Sequence, residues 1–253
     1  MFFDTHAHYD DEKFDEDRDI VLSSLPENGI DLVLNAASNI ESAGKAVELA
    51  EKYDFIYAAA GVHPHDTEDM RDTDIDEIAK LCRHDKVKAI GEIGLDYHYD
   101  FSPRDVQISR FKEQMALAGD LSMPVIIHDR EAHGDCLSVV RDIKVERGVY
   151  HCYSGSLSDA KTLVSLGYYL SFTGAITFSN AKKAYDIIRW MPLDRMMIET
   201  DCPYLAPVPN RGKRCDSRML YLTAQKIAEI RGMTLSDIAR ITKDNGRKFF
   251  DIV

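Results

Sequence analysis

The chain has 253 residues, with 31 Lys and Arg against 43 Asp and Glu, and so carries a formal charge of −12. Hydrophobic residues make up 45% of it, which excludes a disordered or collagen-like chain. The acidic balance argues against a passive nucleic-acid binder, which gains affinity by neutralising phosphates with a basic surface, unless bound divalent metals reverse the field locally.

Along the chain, short apolar runs alternate with longer amphipathic ones. The first run, Phe2–Thr5, reads as a strand and is followed by a helix over Asp17–Leu25. The strand Asp31–Asn35 precedes the helix Ile40–Lys52, and Phe55–Gly61 precedes Asp74–Cys82. Val87–Glu92 is paired in the same way with Pro103–Leu121, and Pro124–His128 with His133–Ile143. Gly148–His151 leads to Ser158–Leu166, and Tyr168–Phe172 to Ala181–Arg189. The last strand, Arg195–Glu199, is followed by two helices, Arg218–Arg231 and Leu235–Phe250. Ser102 is expected to cap its helix with Pro103 at the first helical position, and Thr73 and Ser236 are further expected caps. Gly29, Gly148 and Gly167 mark entries to strands.

Eight strands, each followed by a helix, imply parallel pairing with right-handed crossovers. The length allows about 32 residues per unit, as a (β/α)8 TIM barrel requires, with residues 1–253 forming a single domain. An open doubly wound sheet usually carries a glycine-rich phosphate loop after its first strand. Here that strand runs into Asp4-Thr5-His6-Ala7-His8 instead. The five cysteines are odd in number and lack a Cys-x-x-Cys pair, against both a disulfide framework and a thiolate zinc knuckle. Met1 leads directly into Phe2-Phe3-Asp4, so no signal peptide is expected. No run approaches the roughly 18 apolar residues of a membrane span. A cytoplasmic setting is therefore the expectation, with no membrane and no obligate protein partner.

Residues of ligand type fall at the C-terminal ends of the strands, the edge where barrel enzymes carry their chemistry. They are His6 and His8, His63 and His65, Glu92, His128, His151, Glu199 and Asp201. His6 and His8 are two apart on an extended strand, so their rings point the same way and suit one metal. Glu92 ends an apolar strand, where an unpaired carboxylate is costly; its two oxygens make it the candidate bridge between two metals. His128 and His151, in equivalent positions on adjacent strands, suit the second metal. Asp201, before Cys202-Pro203, is placed at the rim to ligate and to take a proton. Glu199 either orients a ligand histidine or pairs with a basic residue. His63 or His65 serves a supporting or substrate-contact role, and His84, His98 and His133 read as surface residues.

Asn210-Arg211-Gly212-Lys213-Arg214-Cys215-Asp216-Ser217-Arg218 is locally basic, and Arg211, Lys213 and Arg214, with Arg130 after His128, are candidate phosphate contacts. Tyr97, Phe101, Tyr153, Phe178 and Tyr204 are weaker candidates for stacking on bases. The acidic run Asp15–Asp19 reads as a solvated helix start.

Six segments together resemble the TatD family of metal-dependent hydrolases. They are Asp4-Thr5-His6-Ala7-His8, Gly61-Val62-His63-Pro64-His65, Gly91-Glu92-Ile93-Gly94-Leu95-Asp96, Ile127-His128-Asp129-Arg130, His151-Cys152-Tyr153-Ser154-Gly155 and Glu199-Thr200-Asp201-Cys202-Pro203. The resemblance spans nearly the whole chain. It implies an amidohydrolase-like barrel with two divalent metals, one held by His6, His8, Glu92 and Asp201 and the other by Glu92, His128 and His151. It also implies deoxyribonuclease activity of 3′-to-5′ exonuclease type. The loop after the last strand departs from the family's Arg-Asn-x-Pro and reads Arg214-Cys215-Asp216-Ser217.

The leading expectation is therefore phosphodiester hydrolysis of DNA or a similar substrate, with water activated between two metals and Asp201 taking the proton. Histidine and carboxylate ligands fit Zn²⁺, Mn²⁺, Fe²⁺ or Co²⁺, and Mg²⁺ less well. The alternative keeps the metals and changes the bond to an amide or ester, as in an aminoacyl-tRNA deacylase. A non-catalytic barrel is the third reading, disfavoured by the surplus of ligand-type side chains.

Overall fold

The computed structural model describes residues 1–253. Eight parallel strands form one sheet in sequence order: β1 Phe2–Ala7, β2 Ile30–Ala36, β3 Ile56–Ala60, β4 Val87–Asp96, β5 Val125–Arg130, β6 Gly148–Tyr150, β7 Tyr169–Phe172 and β8 Met196–Ile198. Around them lie α1 Arg18–Ser24, α2 Ile40–Lys52, α3 Asp74–Leu81, α4 Arg104–Leu121, α5 His133–Asp142, α6 Leu157–Ser165, α7 Lys182–Trp190, α8 Leu220–Arg231 and α9 Leu235–Phe249. The sheet curls until its first and last strands meet. Asp201 N–H donates to His6 O and His8 N–H to Cys202 O, and Ala7 bridges Cys202. This is the expected (β/α)8 barrel.

The interior is filled from every strand in turn. Phe3, Leu34, Ala59, Ala89, Ile126, Val149, Tyr169 and Met197 form one buried cluster with Phe249, Phe250 and Ile252 from the C-terminal end. The large Phe3, Leu34, Ile126, Tyr169 and Met197 are accommodated beside the small Ala59 and Ala89, so side chains fill the barrel's centre. Phe249 packs edge-on against Tyr169 and Phe250 tilts onto Phe3, sealing the N-terminal end of the strands. α9 comes this close because Gly246 has no Cβ; one would stand 2.6 Å from Phe3 Cδ1. A second, larger cluster lies between the outer strand faces and the helices.

Helix starts obey local hydrogen-bond chemistry. Asn39 and Ser42 cap α2 reciprocally, Ser156 accepts from Asp159 N–H, and Thr234 accepts from Asp237 N–H. Thr234, and not Ser236, is thus the cap of α9. Thr73 stands at the start of α3 without a side-chain cap bond. Pro103 precedes α4, and the Ser102 hydroxyl instead accepts from Glu68 N–H and donates to His65 O. Strand limits also differ from expectation. β1 extends through His6 to Ala7, and β4 extends past Glu92 to Asp96 because its pairing with β5 resumes at Ile93 and continues to Asp96. Glu92 therefore lies inside a strand, not at its end.

Phe249 is 1% exposed. Phe249→Ala should lower stability by about 3–5 kcal/mol through the cavity it leaves, read as a shift in the urea midpoint at unchanged slope.

Candidate metal centre

Two local irregularities aim the central side chains. The β1–β2 register shifts between Asp4 and Ala7, around His6, and the β4–β5 register shifts between Ile90 and Ile93, around Glu92. An irregularity of this kind in a strand re-aims the side chains beyond it. Gly94 lets β4 pass its neighbour there: φ is +142°, and a Cβ would lie 2.0 Å from His128 O.

Glu92 is 2% exposed and is met from all sides by imidazoles. Its Oε2 lies 3.0 Å from His6 Nε2 and 3.6 Å from His8 Nε2. Those two nitrogens are 3.1 Å apart, and Asp201 Oδ1 lies 3.7 Å from the first and 3.3 Å from the second. Its Oε1 faces a different set: His128 Nδ1 at 2.6 Å, His151 Nε2 at 2.8 Å and His63 Nε2 at 3.4 Å. His128 Nδ1 and His151 Nε2 are 3.1 Å apart. One carboxylate thus divides its two oxygens between two nests of donors.

The electrostatics reflect that crowding. Burial pushes imidazoles down and carboxyls up. His6 is lowered and His63 is pushed down to about 3, chiefly by burial. His8 is also buried, but Asp201 and Glu92 outweigh burial and raise it to about 9. In His151 burial is likewise overcome, by Glu92 and Glu199, and its pKa is well above the ordinary histidine range. Glu92 is held well below the usual carboxylate range, because His151, His63, His6 and the bond with His128 overcome burial. The centre demands positive charge.

A divalent cation meets that demand. Four donors about 2.1 Å from one tetrahedral centre stand about 3.4 Å apart, near the 3.0–3.7 Å found among His6, His8, Glu92 and Asp201. The donors are nitrogen and oxygen without thiolate, which suits Zn²⁺, Mn²⁺, Fe²⁺ or Co²⁺.

Two of the rings, His8 and His128, are hydrogen-bonded from behind, and a third, His151, faces a carboxylate. His8 Nδ1 meets Ala36 O at 2.9 Å. Glu199, 1% exposed, accepts from Cys152 N–H and lies 3.4 Å from His151 Nδ1, the orienting position the sequence offered as one of two options. His128 Nε2 is 3.1 Å from Asp96 Oδ2, which also meets His65 Nε2 at 2.9 Å. Burial would raise the Asp96 carboxyl, but His128, His65 and the Tyr99 N–H hold it far below its ordinary value. The role of Asp96 was not evident from the sequence, although it lies four residues beyond Glu92 in Gly91-Glu92-Ile93-Gly94-Leu95-Asp96. Nor was that of Asp4. That buried carboxylate accepts from Thr200 N–H, Thr200 Oγ1 and Ser217 Oγ and so closes the seam between β1 and the segment after β8. Burial raises it to about 7 in spite of those bonds.

The basic residues are dispersed. Arg130 ends β5, and its guanidinium lies 4.6 Å from the centroid of the Tyr99 ring. Arg211 covers Phe178, and Lys213 is exposed. Arg214 is held by Asp17 through both terminal nitrogens and donates to Lys13 O, and Arg218 pairs with Asp216. Asp17 and Asp19 are accordingly not simply solvated: Asp19 holds Lys52 and Tyr53. Of the histidines read as surface residues, His98 pairs with Glu131 at 2.8 Å and His133 with Asp129 at 2.9 Å.

A family model described as "TatD related DNase" matches residues 3–251. The chain is 42% identical over 254 residues to "Uncharacterized metal-dependent hydrolase YabD" of Bacillus subtilis, covering 100% of both. It is 30% identical to "3'-5' ssDNA/RNA exonuclease TatD" of Erwinia tasmaniensis, covering 99% of this chain and 100% of that one. Among solved structures, YJJV, a TatD homologue from Escherichia coli, superposes with a TM-score of 0.94 at 30% identity, covering 100% of this chain and 98% of that one.

Titrating chelator-treated protein with Mn²⁺ or Zn²⁺ should raise the melting temperature by about 5–10 °C near 100 Kd, since a ligand at that level adds about 2.7 kcal/mol. Glu92→Gln should remove most of the shift; an equal shift in both proteins would mean that the cation binds elsewhere.

Proposed function

The chain belongs to the TatD-related DNase family and is a metal-dependent hydrolase, and from that premise we propose that it is a nuclease cleaving phosphodiester bonds in DNA or RNA from the 3′ end. The observation that carries this is the division of Glu92 between two donor nests, which suits a pair of cations flanking one phosphate. In this reading His6, His8, Glu92 and Asp201 would hold one cation, and Glu92, His128 and His151 would hold the other. Bound there, divalent cations supply Lewis-acid polarisation of a non-bridging phosphate oxygen and make water a stronger acid.

The chain's own groups do the rest. Asp201 has the more exposed carboxylate of the first nest, with its side chain 15% exposed against 3% for Glu92, and it takes the proton of the attacking water. Asp96 keeps the His128 ring in one orientation and tautomer, and Glu199 sets a carboxylate 3.4 Å behind His151. His63, against Glu92 Oε1, narrows the space beside the phosphate. Arg130 is the phosphate clamp. It takes no part in the ion pairs of its rim, which join His65 and His128 to Asp96 and His98 to Glu131. Its donors are therefore free of carboxylates and open to a phosphate. Arg211 and Lys213 extend that contact along the strand, whereas Arg214 serves mainly to anchor the loop to Asp17. The exonuclease named among the relatives supports this reading over amide or ester hydrolysis.

Release of 3′-terminal nucleotides from a labelled single strand tests the proposal. Activity should vanish with chelator and return with Mn²⁺ or Co²⁺. Asp201→Asn should reduce kcat by roughly 100- to 10,000-fold, the range of a lost general base. Arg130→Ala should act mainly on KM. Undiminished turnover in Asp201→Asn would remove it from the proton step, and cleavage of esters but no oligonucleotide would overturn the assignment.

A further inference from the structure

We propose that Tyr99 and Phe101 form a platform on which an unpaired nucleobase stacks, so placed that the phosphate of the same nucleotide reaches the histidine–carboxylate centre; this rests on the nuclease reading above. Both rings lie on the loop between β4 and α4. They stack at 5.3 Å and 25°, yet are 48% and 64% exposed. Two adjacent rings left facing water make one contiguous apolar surface, the kind of feature that marks a binding site.

Their exposure is built in. The loop is pinned at three points. Asp96 Oδ1 accepts the His98 and Tyr99 N–H groups at 2.9 and 2.8 Å. Asp100 pairs with Arg104. Ser102, 1% exposed, is bonded to Glu68, His65 and Gln107. A platform fixed before binding loses little entropy on contact.

Its position selects the ligand. His65 touches both rings edge-on, at 5.4 Å from Tyr99 and 4.8 Å from Phe101, and lies 6.2 Å from His128. One imidazole therefore separates the platform from the centre, much as one sugar separates a base from its phosphate. Arg130 lies against Tyr99 and adds positive charge on the phosphate side. An aromatic face beside free guanidinium donors complements a nucleotide in both shape and charge. A base within a duplex has both faces covered, so only a terminal or single-stranded base can use the platform. Cations lie over other rings of the rim: Lys13 over Tyr204, which also bonds Asp11, Arg211 over Phe178, and Arg130 over Tyr99 itself, so that Phe101 offers the outer face of the pair.

The test compares single-stranded oligonucleotides whose 3′-terminal residue carries a base or is abasic, with the Mn²⁺-loaded enzyme. Wild type should prefer the base by about tenfold in kcat/KM, within the range of one stacked base. It should also quench 2-aminopurine at the 3′ end of a phosphorothioate strand. In Tyr99→Ala/Phe101→Ala the preference should fall to about one and the quenching should disappear, while Tyr99→Phe keeps both. Preference and quenching that survive in the double alanine variant would overturn the platform, as would a wild type indifferent to the terminal base. A wild type that neither binds nor cleaves any oligonucleotide would overturn the nuclease reading, and the platform with it.

Discussion

The centre depends on a buried negative charge that cannot stand alone. Glu92 lies inside the barrel mouth, where an isolated carboxylate would take up a proton sooner than remain ionised. Imidazoles from β1, β5 and the segments after β1, β3 and β6 surround it. Their number exceeds the hydrogen-bond donors that one carboxylate needs. The excess of nitrogen lone pairs pointed at one volume turns an ion-pair cluster into a chelating one.

Stability and chemistry are divided along the barrel axis. At one end the floor is apolar and sealed by Phe249 and Phe250. At the other, the polar mouth is assembled at the seam where the sheet closes. There the His6 and Asp201 backbones are hydrogen-bonded, and Asp4 ties β1 to Thr200 and Ser217. The bonds that close the fold are therefore the bonds that set His6 against Asp201.

Charge is managed locally. With a net charge of −12 the molecule offers polyanions little long-range attraction. Much of the basic loop after β8 is neutralised in place, Arg214 by Asp17 and Arg218 by Asp216. An anionic substrate would be left with Arg130 at the end of β5, Arg211 and Lys213 after β8, and the centre's demand for cations. On the proposed nuclease reading, selectivity falls to short-range shape, the role proposed for the Tyr99–Phe101 platform.

The order of strands and helices was legible in the sequence, because alternating apolar runs record which faces are buried at each step. The convergence of His6, His8, Glu92, His128, His151 and Asp201 was legible too, since parallel strands carry their C-terminal ends to one rim. Pairing partners were not. Nothing local indicates that Asp96 faces His128 and His65, that Asp4 reaches across to Thr200 and Ser217, or that Arg214 turns to Asp17. These contacts join residues far apart in the chain, 31 positions for His65 and Asp96 and 196 for Asp4 and Thr200. A polar side chain chooses among such partners only after the barrel has closed. Periodicity is a property of each segment, whereas hydrogen-bond partnership belongs to the folded whole.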